Sequence, residues 1–261
     1  MYGFDYHRPA ALSDIVDLLT ADEDAKLLAG GQTLIPTLKQ RLAMPTSLVD
    51  LSAVPGLREI VAEGDGVRIG AMATHAAVAG SEVVRAMLPG LADLAAHIGD
   101  PQVRNRGTIG GSIANADPAA DYPAALVALD AVIRTDRRDI AGAEFFTGLF
   151  ETALLLGEVV TSVFFPAASH ARYAKFPNPA SRYAMAGVFV AKQGDVVRVA
   201  VTGAGPSVFR WDAAEAALSA RFSADALVGL VLDDDGLNSD MHADAAYRAH
   251  IVGVLARRAI A

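Results

Sequence analysis

Two glycine pairs carry most of the chemistry this sequence could perform: Ala29-Gly30-Gly31-Gln32-Thr33 and Thr108-Ile109-Gly110-Gly111-Ser112. Each is set between an apolar run and a helix-like run, so each reads as a turn into a helix. Glycine has no Cβ, and consecutive glycines after a strand let backbone N–H groups crowd around a phosphate that side chains would block. Two such loops in one chain point to a large ligand that bears phosphate. The first pair alone reads equally well as a steric turn. The second is more specific, because Ile113-Ala114-Asn115-Ala116-Asp117-Pro118-Ala119-Ala120-Asp121-Tyr122-Pro123 follows it directly. Amide and carboxylate acceptors there suit sugar-like hydroxyls beside a phosphate. The plain alternative is a polar loop of Asx turns leading into a helix capped by Asp121.

Other chemistry is thinly represented. No Gly-x-Gly-x-x-Gly occurs, and the first loop lacks the Gly-Lys-Ser/Thr ending of a nucleoside-triphosphate loop. The six histidines, His7, His75, His97, His170, His242 and His250, show no zinc-protease spacing, so no metal is assigned. With no cysteine, disulfides, a thiol nucleophile and a cysteine-held iron–sulfur cluster are excluded from this chain. Arg104 and Arg106 could meet a phosphate or a partner, or simply be solvated. Lys175 could tune a bound cofactor or lie on the surface. Asp22-Glu23-Asp24 reads as a solvated loop and Trp211 as core packing.

The elements that must position the two loops follow from periodicity. Leu12, Ile15, Val16 and Leu19 predict a helix over 10–20, Lys26 to Ala29 a buried strand, and Leu34, Leu38 and Leu42 a second helix with Pro36 in its first turn. Ser47 to Leu51 returns as a strand, and Pro55-Gly56 closes a small α/β subdomain, 1–56. From Leu57 the texture becomes strands joined by tight turns: 58–61, a Gly64-Asp65-Gly66 turn, and 67–71. Thr74 is a candidate N-cap, 81–97 a helix broken at Pro89-Gly90, and 122–129 a helix or turn. Strands at 131–135 and 155–165 complete a second subdomain, 57–168. The remainder, 169–261, predicts a hairpin of 183–192 and 196–202 followed by helices near 211–219, 223–230 and 242–258. The fold class expected is α+β.

Composition sets further bounds. The 261 residues are 52% hydrophobic and 20% charged, with a formal charge of −8. That balance fits a globular core and argues against nucleic acid as a partner. No apolar run reaches the roughly 18 residues of a membrane helix, and the opening residues lack a secretory pattern, so we expect a soluble cytoplasmic chain with no membrane span.

Ala29-Gly-Gly-Gln-Thr-Leu-Ile-Pro-Thr-Leu-Lys, the run from Gln102 to Asp121, and Lys175-Phe-Pro-Asn-Pro-Ala-Ser-Arg-Tyr183 together resemble the FAD-binding medium subunits of molybdenum hydroxylases, the carbon monoxide and xanthine dehydrogenase family. The resemblance runs in order along nearly the whole chain. It implies an FAD fold of the vanillyl-alcohol oxidase type, two α/β subdomains followed by a C-terminal unit of antiparallel sheet and helices. In that family the first loop holds the pyrophosphate, and the second runs along the diphosphate, ribityl chain and flavin. The carried-over residues are Ala29, Gly30, Gly31, Gln32, Thr33 and Leu34, then Thr108, Ile109, Gly110, Gly111 and Ser112, with Asn115 and Asp121 as polar contacts and Tyr183 near the isoalloxazine. Ile98 departs from the aromatic that xanthine dehydrogenases carry against the flavin.

The resemblance further implies electron transfer from 2Fe–2S clusters on a small subunit, fed by a molybdopterin cofactor on a large subunit, in a dimer of heterotrimers. Flavin chemistry needs no catalytic acid, base or nucleophile from this chain. A stand-alone FAD oxidase or reductase and a non-redox nucleotide-binding module are the competing readings; the first would require its own acid or base beside the flavin.

Overall fold

A computed structural model describes residues 1–260. The first sheet is built from strands too short to stand alone. Asp5–His7, Ser47–Asp50 and Lys26–Leu28 form a three-stranded parallel sheet with Ser47–Asp50 in the centre. Parallel pairing needs a covering crossover, and the helix Leu12–Ala21 supplies it, burying Ile15 and Leu19 against Val49 and Leu51. Each such fully buried aliphatic side chain contributes about 2 kcal/mol. Leu57, Met72 and Val159 complete this cluster from the next sheet, so the two sheets share a core.

That second sheet is antiparallel, ordered Ile60–Glu63, Gly66–Gly70, Val160–Pro166, Val132–Thr135, Asp139–Ala141. Helices Pro89–Ala96 and Tyr122–Ala128 contribute Leu91, Leu94, Leu126 and Val127 to its core beside Val67, Ile69, Ile133 and Val163. A third sheet, also antiparallel, runs His170–Pro177, Ala184–Gln193, Val196–Thr202, Phe209–Arg210. Successive side chains on a strand point to opposite faces. Along Ala184–Gln193, Phe189 and Ala191 enter the core of the second sheet, whereas Val188 and Val190 enter a separate core under helices Asp212–Ala220 and Ala245–Arg258. Coverage of both faces explains why this strand reads as almost continuously apolar.

The mixed helix-and-sheet class agrees with expectation, and several elements differ. Asp5–His7 and His170–Pro177 are strands that the sequence reading left unassigned. The strand placed at 155–165 begins only at Val160, and the helix placed at 223–230 is a 3-10 turn over Ala224–Leu227. The second glycine pair follows the short helix Pro101–Arg106 rather than a strand, and lies inside the helix Ile109–Asn115.

The late start at Val160 has a side-chain cause. Glu158 is buried and accepts from Arg138 Nε at 3.0 Å, Thr135 Oγ1 at 2.8 Å and the Leu155 amide at 2.8 Å, tying 155–158 into a turn. The Arg138 hydrogen bond, ahead of the others, holds the Glu158 carboxyl down to about 2. A carboxylate depressed on folding contributes stability that is complete above its unfolded value of about 4.5 and is lost as pH falls toward 2. We predict that E158Q lowers stability by on the order of 2 kcal/mol at pH 7, with the gap to wild type closing between pH 4.5 and 2, measured by thermal melts across that range.

Candidate functional site

The three sheets meet at one cleft of about 550 Å³. Its walls are the loop after Lys26–Leu28, the helix Ile109–Asn115 with the residues after it, and the turn 178–183 of the third sheet. Ala29, Gly30, Gly31, Gln32, Thr33, Leu34, Thr108, Gly110, Gly111, Ser112, Asn115, Asp121 and Tyr183 all line it. Ile109 does not; it is fully buried in the core of the second sheet.

The backbone amides of the two glycine pairs are engaged differently. Among the described residues, none of the backbone N–H groups from Gly30 to Leu34 donates to another group of the chain. Five consecutive amides thus lie at the cleft at the start of helix Leu34–Lys39. The amides of the second pair are already engaged. Ile109 donates to Ala73 O at 3.0 Å, Gly110 to Ala71 O at 2.8 Å, Gly111 to Thr108 Oγ1 at 3.1 Å and Ser112 to Thr108 O at 3.0 Å. Backbone donors without partners bind anions; donors already paired do not.

Sterics assign the second pair its task. A Cβ on Gly110 would stand 2.6 Å from Ala71 Cβ and 2.7 Å from Ala71 O, so glycine lets the helix lie against the turn that follows strand Gly66–Gly70. Gly30 answers a similar demand: its Cβ would fall 2.2 Å from Arg106 O and 2.8 Å from Gly107 Cα. The first loop therefore packs on the backbone just before the second motif. Gly31 alone of these four has a left-handed backbone, φ 72°, which glycine adopts without strain.

Asp121 does not cap the following helix. It is buried and accepts from Tyr173 Oη at 2.6 Å and from Lys175 Nζ at 2.9 Å. Lys175, expected either at a cofactor or on the surface, has a side chain only 6% exposed and also donates to His97 O at 3.2 Å. Burial pushes the Asp121 carboxyl above the usual carboxylate range, while the Lys175 ammonium and Tyr173 hydroxyl pull against that rise. Arg104 is likewise structural, donating to the Ile98 and Gly99 carbonyls at 3.1 and 3.0 Å.

Tyr183 reaches the cleft from a pinned turn. Asn178 Oδ1 accepts from the Ala180 and Ser181 amides at 2.9 and 3.0 Å, and Arg182 takes φ 63°. The Tyr183 hydroxyl lies beside the Thr33 side chain, and burial, then the charges of Asp117 and Asp121, raise its pKa. The sequence reading missed the apolar end of the cleft, Leu27, Leu51, Leu154 and Val159, and also His75 and Val103. Val159 and Leu51 flank strand ends, where a short apolar run offers no signal separating cleft from core. Burial, followed by the charge of Arg104, pushes the His75 imidazole down to about 4.

Comparison with known proteins gives concordant matches. Residues 2–168 match the family described as the FAD binding domain in molybdopterin dehydrogenase. The chain is 37% identical to the nicotine 6-hydroxylase medium subunit of Paenarthrobacter nicotinovorans, over 98% of this chain and 95% of that protein. It is 36% identical to the carbon monoxide dehydrogenase medium chain of Hydrogenophaga pseudoflava, over 98% and 96%. Among solved structures, reconstituted CO dehydrogenase from Oligotropha carboxidovorans superposes with a TM-score of 0.90 at 35% identity, covering 99% of this chain and 96% of that one.

Removing one partner of a buried ion pair leaves the other charge uncompensated, at a cost of about 3 to 5 kcal/mol. We predict that D121N lowers unfolding stability by about 3 kcal/mol and that adding K175M recovers part of it, as a denaturant double-mutant cycle would record. Additive losses would show that the pair is not coupled.

Proposed function

The chain belongs to the family of FAD-binding domains of molybdopterin dehydrogenases, and from that membership we propose how its cleft holds FAD. It is an FAD-binding oxidoreductase subunit of the carbon monoxide and xanthine dehydrogenase type, whose relatives are medium subunits of multi-subunit molybdenum hydroxylases. The observation that carries the site reading is the run of unpartnered amides from Gly30 to Leu34. Five unpartnered donors on consecutive residues that line one cleft, with a left-handed glycine at Gly31 among them, suit a diphosphate. The residues present therefore fit the cofactor.

In this reading Ala29 to Leu34 cradle the pyrophosphate. Thr108, Gly110, Gly111 and Ser112 form a floor rather than a second anion cradle, with Ile109 anchoring it from the core. Asn115 and Asp121 face polyol hydroxyls, Asp121 with its remaining lone pairs, and Tyr183 closes the flavin end. FAD, when bound, accepts electrons singly and passes on two together. The protein's contribution is to bind, orient and shield. The large and small partner subunits would carry the molybdopterin cofactor and the 2Fe–2S clusters.

Finer features are also part of this proposal: a fold of the vanillyl-alcohol oxidase type, units at 1–56, 57–168 and 169–261, a dimer of heterotrimers, and a cytoplasmic setting. No helix among the described residues is long and apolar enough to cross a membrane. Relatives named for nicotine and for carbon monoxide both align along almost the whole chain. That supports substrate choice residing on the large subunit.

The purified chain is expected to be yellow and to take up FAD. Gly31→Val forces a branched residue into a left-handed backbone, and Gly111→Val drives a side chain into the cleft floor, where even a Cβ would stand 2.9 Å from Thr108 Oγ1. Each should abolish FAD uptake, read as flavin absorbance per folded chain. Full flavin content in either folded variant would refute the assignment at that loop.

A further inference from the structure

His75 stands outside the roles assigned so far. It opens the helix His75–Gly80, its amide donates to Gly107 O at 3.0 Å, and its ring forms part of the cleft wall although the residue is only 4% exposed. No side chain or carbonyl of the chain bonds either ring nitrogen; Nδ1 is sealed from solvent without a partner. Nε2 lies against Gly107, another lining residue, at which a Cβ would come within 2.6 Å of that nitrogen. The ring is therefore admitted to the wall by the absence of a side chain at Gly107.

A second unpartnered atom adjoins it. Tyr122 is fully buried, its hydroxyl has no partner, and its ring is tilted at 47° with its centroid 5.5 Å from that of His75. Buried polar atoms left unsatisfied are costly and rare, so two in adjacent side chains call for one explanation. A neutral imidazole has one donor and one acceptor nitrogen. The two atoms do not bond each other; one buried water joining them would satisfy both, donating to Nδ1 and accepting from the Tyr122 hydroxyl. The ring proton then belongs on Nε2, on the side of Gly107 and the cleft.

We propose that His75 is a hydrogen-bond donor to FAD, presenting Nε2–H to an acceptor atom of the cofactor, with Tyr122 as the positioning residue that fixes the tautomer. The proposal rests on the FAD reading above. The imidazole's low pKa, from burial and the nearby Arg104, is in keeping with a neutral ring throughout the physiological range. A neutral donor recognises a carbonyl or ring nitrogen without adding charge to the cleft.

The test uses the full chain and FAD titrated by fluorescence quenching, with the visible flavin spectrum recorded at saturation. H75L should weaken FAD binding about tenfold, the effect of one lost hydrogen bond, and shift the flavin absorption band. H75Q, which keeps a side-chain donor, should stay within about threefold of wild type, and Y122F should fall between the two. Nitrogen-15 shifts of the His75 ring in the wild-type chain give a readout independent of any variant: protonation on Nε2, and movement of that resonance when FAD is added. A folded H75L with wild-type affinity and spectrum, or an Nε2 resonance that ignores FAD, overturns the proposal. A wild-type chain that binds no FAD overturns the cofactor reading as well, so the two failures are distinguishable.

Discussion

The close approach of Gly30 to the backbone of Arg106 and Gly107 sets the geometry on which the site depends. A Cβ at Gly30 would overlap the Arg106 carbonyl, so only glycine permits the loop of the parallel sheet to settle there. From that contact follow the placement of the free amides opposite the helix Ile109–Asn115 and the width of the cleft between them. The same few residues also stack the small sheet on the central one, where Leu57, Met72 and Val159 close the shared core. Packing and site formation are thus a single event at this point in the chain.

The two glycine motifs look alike in sequence and diverge in physics. What separates them is the neighbour each finds. Gly110 lies against the turn that follows strand Gly66–Gly70, whose carbonyls at Ala71 and Ala73 take up its amide and that of Ile109, and Thr108 caps the rest. The loop at Gly30 turns away from its own sheet and meets no acceptor. Local composition cannot reveal this, because the acceptors at Ala71 and Ala73 are more than thirty residues distant in sequence.

The same limit governs what was legible elsewhere. The helix Leu12–Ala21, the hairpin centred on Gly194 and the N-cap at Thr74 follow from short-range periodicity and turn chemistry, and the structure contains them. Strand His170–Pro177 escaped notice because its side chains face two different cores and show no clean alternation. Among site residues, the glycines, Asn115 and Asp121 announced themselves by type and clustering. His75 and Tyr122 did not, and Lys175 was legible only as a lysine for either a cofactor or the surface: their importance comes from burial and from partners 47 or 54 positions away. Asp121 was legible as a residue that matters, whereas its ion pair was not.

That the cleft is walled by three sheets whose cores adjoin has a thermodynamic consequence. An occupant touching all three walls is a linkage ligand: whatever free energy it gains on binding is added to the cohesion that those adjoining cores already give. Retention of the occupant and resistance of the whole chain to unfolding then become one quantity seen from two sides. Tyr183, carried by a turn of the last sheet yet resting beside Thr33 of the first loop, is the residue through which the farthest segment takes part in that balance.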